Sequence, residues 1–132
     1  MMRIGYLPSD FNPMVLMLGE KPEDFRALSW VLRGFARDLA DVRLDGLPFC
    51  TSCGTRLTLT ASPGPAGVHA DADGLVWRVD AVRASGFAAQ VDALADTGRL
   101  AGSEMLECST EDEIPVKLSR GEYTDDFLLP PA

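Results

Sequence analysis

The chain is poor in the side chains that most chemistry needs. His69 is its only histidine, and it has three cysteines. One imidazole leaves little room for a histidine-based triad. No G-x-S-x-G elbow, P-loop or G-x-G-x-x-G turn accompanies it. An odd cysteine count argues against a disulfide framework. The longest apolar run, Met14 to Leu18, falls far short of the roughly 20 residues that cross a bilayer. Met1-Met2-Arg3-Ile4 opens no secretory apolar region with a small-residue cleavage site. A cytoplasmic protein with reduced thiols and no membrane partner is therefore expected. Positive charge is scarce as well: 12 Lys and Arg face 20 Asp and Glu, a net charge of −8. A field of that sign repels phosphate backbones, so no nucleic-acid partner is expected. Internal repeats and low-complexity tracts are not evident.

What is present is the make-up of a folded domain. The 132 residues are 46% apolar and 24% charged, ordinary for a globular chain. That length fits a single domain that holds a core without staples. Richness in Ala, Arg and Gly points to a GC-rich bacterial source. The negative charge is uneven. Glu104 to Asp126 carries eight acidic residues against two basic ones, most of the chain's net charge.

Hydrophobic periodicity gives the elements. Arg3 to Leu7 reads as a strand, 8–13 as a turn, and Met14 to Leu18 as a strand covered on both faces. Pro22 to Ala40 reads as the strongest helix. Pro22 suits its first position, and Phe25, Leu28, Leu32, Phe35 and Leu39 form one stripe. Strands follow at Arg56–Ala61, Val68–Asp71 and Leu75–Val79, with Asp73-Gly74 as a hairpin turn. A second helix is expected from about Ala84 to Asp96, on a stripe of Phe87, Val91 and Leu94. Glu104–Ser109 and Ile114–Ser119 read as closing strands, and 121–132 as an irregular tail. The order β-β-α-β-β-β-α-β-β predicts a single α+β domain, a mostly antiparallel sheet with two helices packed on it.

Arg26, Trp30, Arg33 and Arg37 share the face of the first helix opposite its core stripe. The plainer reading is a Trp covered by a loop or another layer. A self-interface around Trp30 is the alternative.

Phe49-Cys50-Thr51-Ser52-Cys53-Gly54-Thr55-Arg56-Leu57 resembles the first knuckle of zinc-ribbon proteins, but a second Cys-x-x-Cys is missing. Zinc in a structural site takes four ligands. Cys50, Cys53, His69 and Cys108 are the available set, and their convergence would make a Cys₃His site. Redox exchange is disfavoured, because Cys53 precedes Gly54 and a β-patterned run rather than a helix. The plainer reading is unmodified thiols in a loop and no cofactor.

Glu111-Asp112-Glu113 and Glu122-Tyr123-Thr124-Asp125-Asp126 flank the last strand. Their spacing is not that of a calcium loop. Ten aromatic residues in all give no sign of a sugar groove beside paired carboxylates. Glu111, Asp112, Glu113, Glu122, Tyr123, Asp125 and Asp126 are better placed to meet a basic protein, an aromatic anchor inside an acidic rim. The run from Ile114 to Phe127, with its Ser-Arg-Gly-Glu-Tyr segment, resembles the ending of small acidic bacterial α+β proteins similar to immunity proteins that neutralise toxins. That resemblance implies inhibition by binding and carries no catalytic residues. The expectation is a non-enzymatic, protein-binding module. The alternative is a zinc-stabilised domain with a Cys-x-x-Cys site.

Overall fold

The computed structural model describes residues 1–8, 13–52, 54–96 and 102–121. The chain is an α+β protein with two helices, α1 (Pro22–Asp38) and α2 (Ala81–Leu94). The strands among the described residues are β1 (Met2–Leu7), β2 (Met14–Gly19), β3 (Val42–Arg43), β4 (Cys50–Ser52), β5 (Leu57–Thr60), β6 (Gly67–Asp71), β7 (Gly74–Arg78), β8 (Gly102–Leu106) and β9 (Val116–Arg120). Pro22 starts α1, Glu23 and Asp24 lie in its first turn, and Phe25, Leu28, Leu32 and Phe35 are buried. The helix stops at Asp38 because Leu39 turns left-handed, at φ 52°, and returns its N–H to the Phe35 carbonyl at 2.7 Å. α2 begins earlier than its apolar stripe predicts. Asp80 caps it, Oδ1 accepting the Arg83 N–H at 2.7 Å.

The strands form two mixed sheets rather than one mostly antiparallel sheet. One runs β4-β1-β2-β9-β8 and the other β3-β5-β7-β6. Hairpins β1–β2 and β6–β7 are antiparallel, while β2–β9 and β5–β7 are parallel. The order repeats. Hairpin β1–β2 is followed by α1 and then by β3, β4 and β5, where β4 has no counterpart in the second half. Hairpin β6–β7 is followed by α2 and then by β8 and β9. Each half sends its closing strands to the other half's hairpin, so β9 and β8 extend β2 while β5 and β3 extend β7. The halves are interlocked.

The helices keep the correspondence residue by residue. Buried Phe25, Leu28, Ser29, Leu32 and Phe35 of α1 match buried Ala84, Phe87, Ala88, Val91 and Leu94 of α2 at constant spacing. None of the five pairs is identical, so the duplication is invisible to a search for repeated residues. The helices meet at their small matched positions, where the Ser29 hydroxyl donates to the Ala88 carbonyl at 3.4 Å.

One hydrophobic core takes the inward side chains of both sheets and both helices, with Trp77 fully buried and 5.6 Å from Phe87 between ring centroids. β2 is covered on both faces. Val15 and Met17 enter the main core, and Leu16 and Leu18 form a second cluster with Leu7 and Met14. Trp30 departs from the expectation of a covered side chain: it is 74% exposed. Among the described residues no helix is long and apolar enough to cross a membrane. The tail expected to be irregular lies outside the described residues after Gly121.

Candidate functional site

The acidic loop between β8 and β9 is built around Glu113. Its Oε2 accepts the Cys108 N–H at 2.7 Å and its Oε1 the Thr110 N–H at 3.2 Å. The Thr110 hydroxyl donates to the Ala66 carbonyl at 2.6 Å, and the Ile114 N–H to the Val68 carbonyl at 2.9 Å. These bonds tie the loop to β6. Gly67 permits the approach at φ 93°, since a Cβ there would collide with the Glu113 carboxylate. Glu113 therefore organises the loop, while Glu107, Glu111 and Asp112 are exposed on it. The signal for Glu113 was in the sequence. Thr110-x-x-Glu113 has the spacing at which a Glu side chain reaches back to the N–H of the leading Thr. Glu122, Tyr123, Asp125 and Asp126 lie outside the described residues.

Among the described residues, the candidates Cys50, His69 and Cys108 do not converge. Cys50 opens β4, at one edge of the five-stranded sheet. Cys108 follows β8, at the other edge. Four strand spacings separate these edges, about 19 Å, so one ion cannot take both thiolates. His69 lies on β6, on the Cys108 side. Its Nε2 is 3.0 Å from the Ala66 carbonyl and 3.5 Å from the Thr110 hydroxyl. A carbonyl only accepts, so the Ala66 contact is made by the tautomer that carries its proton on Nε2. Among the described residues no three His, Cys, Asp or Glu side chains are grouped to hold an ion. Cys53 lies outside them.

The thiols are also poor nucleophiles. Burial, reinforced by the Asp24 carboxylate, pushes Cys50 up to about 12. Burial and then the Glu113 carboxylate raise Cys108. At neutral pH both are thiols, not thiolates.

A surface hollow of about 360 Å³ opens beside the acidic loop. Ala66 lines it, with Ser62, Arg78, Asp80 and Arg83. Asp80 is its one carboxylate and is engaged as the cap of α2, so the hollow offers no free acid–base pair. Of the other side chains singled out in the sequence, Arg33 pairs with Asp92 of α2 at 2.8 Å, Arg37 pairs with its neighbour Asp38 at 3.1 Å, and Trp30 is exposed. No protein-family model, curated protein or solved structure matches the chain.

Proposed function

We propose that this protein is a non-enzymatic module, immunity-like in kind, that binds a basic protein through the exposed carboxylates of the 107–113 loop, with Glu122, Tyr123, Asp125 and Asp126 as further contacts expected from the sequence. The observation that supports this reading is the built loop. Glu113 and Thr110 hold it by main-chain bonds, so Glu107, Glu111 and Asp112 are presented with little freedom left to lose on binding. Most of the net charge of −8 is drawn to this end of the sequence, which steers a positively charged partner toward it.

The test is capture on the immobilised chain from bacterial lysate at low salt, beside a variant carrying Glu111→Lys and Asp112→Lys. The expected catch is a basic protein that the variant loses and that added salt releases. A catch that both chains hold equally, or that salt does not release, contradicts the reading.

A further inference from the structure

The structure carries a second, separate surface around Trp30. Trp30 stands on the outer face of α1, 74% exposed. Beside it a groove of about 290 Å³ runs between α1 and the edge strand β3. Val31, Phe35, Val42 and Leu47 make its apolar lining, and Arg37, Asp38 and Asp41 its charged rim.

The duplicated architecture shows that this groove is not a generic product of the fold. In the other half the same place lies between α2 and β8. There Gln90, which corresponds to Val31, donates through Nε2 to the Met105 carbonyl of β8 at 3.2 Å and bridges the gap. The residue corresponding to Trp30 is Ala89. Among the described residues, α1 alone combines an open groove with a protruding aromatic ring.

We propose that this face is a self-association surface, on which a second copy of the chain docks about a two-fold axis and each Trp30 enters the groove of the other copy. A two-fold interface must be complementary to itself, so one patch has to present both a knob and a hole. Trp30 and the groove next to it are such a pair. The charges repeat the pattern. Arg37 bonds the adjacent Asp38 through Nε at 3.1 Å and NH2 at 3.4 Å, so the rim offers a cation and an anion side by side. Two-fold docking lets each Arg37 meet the Asp38 of the other copy. With one cation against two carboxylates, Asp38 and Asp41, the rim is far closer to neutral than the chain's −8, and like-charge repulsion between copies is weak at this face. An exposed Trp set beside an apolar hollow is also the residue type that most often anchors interfaces. This surface uses none of the acidic-loop residues and stands or falls apart from the proposed function.

The chain has two tryptophans, Trp30 exposed and Trp77 fully buried, so its own fluorescence reports on the docking. Sedimentation and Trp emission are followed over a concentration series at low and high salt, for the wild type, Trp30→Ala and Trp30→Glu. Trp30 is exposed, so both variants keep the core, and their remaining Trp77 gives the folded reference spectrum. A dimer is expected whose formation shifts the Trp30 emission to the blue. Salt should change it little, because the rim is close to neutral and the docking rests on the Trp30 ring and the apolar groove. Each substitution should weaken it by at least about tenfold. A chain that remains monomeric throughout overturns the proposal. So does a dimer that both variants still form, or one that leaves Trp30 emission unchanged. Shielding of Trp30 only by a different protein overturns it too.

Discussion

Arg33 of α1 and Asp92 of α2 form an ion pair of 2.8 Å between positions that correspond in the two halves of the chain. One turn away Ser29 and Ala88, also corresponding, touch across the same helix crossing, and Arg33 donates to the Ser29 hydroxyl as well. The crossing is thus small and tight inside and charged outside. The two contacts should differ in energy. The ion pair is about half exposed on both sides and is worth little in high dielectric, whereas the buried crossing has no room for added volume.

Ala88→Leu is therefore expected to cost about 1–3 kcal/mol by overpacking the crossing, and Asp92→Asn less than about 1 kcal/mol. Urea midpoints of the two variants check this. A larger loss for Asp92→Asn than for Ala88→Leu would contradict the packing described.

Asp45 links stability to pH. Burial pushes its carboxyl up, but the Arg43 guanidinium at 2.5 Å and the Leu57 N–H at 3.1 Å outweigh burial and hold it below the usual carboxylate range. A depressed folded value means that the charged form stabilises the fold. That stability is present above the unfolded carboxyl value, about 3.9, and is lost as pH falls through the lower folded value. Asp45→Asn keeps an oxygen for the Leu57 N–H and cannot ionise. The wild type should exceed it in denaturant midpoint at neutral pH, and the gap should close below about pH 4. A gap that does not change with pH would show that the Arg43 contact contributes nothing.

Cys50 should resist alkylation. Its thiol is pushed up to about 12, so the reactive thiolate is a minute fraction at pH 8. Iodoacetamide labelling followed by mass spectrometry should modify Cys50 slowly in the folded chain and quickly in denaturant. Equal rates would mean that the thiol is neither buried nor beside the Asp24 carboxylate.

The features set by local pattern were legible in the sequence. The core stripes of both helices, the β6–β7 hairpin and the two-sided burial of β2 follow from periodicity and turn residues and are present, except that Leu39, expected on the α1 stripe, ends the helix in a left-handed turn and is exposed. Features set by long-range pairing were not. Nothing in Val116 to Arg120 announces that it lies parallel to β2 instead of beside β7, because strand choice depends on which apolar face is free after the helices have packed. Residues 41–54 hold β3 and β4, of two and three residues, too short to show a period. The pairing of Phe25 with Ala84 and of Leu28 with Phe87 preserves burial without identity, which hides the duplication. At the candidate site the exposure of Glu111 and Asp112 matched their composition. The inward role of Glu113 needed the Thr110-x-x-Glu113 spacing. Trp30 was misjudged because an apolar ring off the core stripe is usually covered, and here no described element reaches over it.

The most direct measurement is the salt dependence of affinity between the chain and the basic protein it captures, for the wild type and for Glu111→Lys/Asp112→Lys. Affinity should fall steadily with salt for the wild type. In the variant it should be at least about tenfold weaker at low salt, with a flatter slope. Equal affinities and equal slopes would show that the acidic loop is not the binding surface.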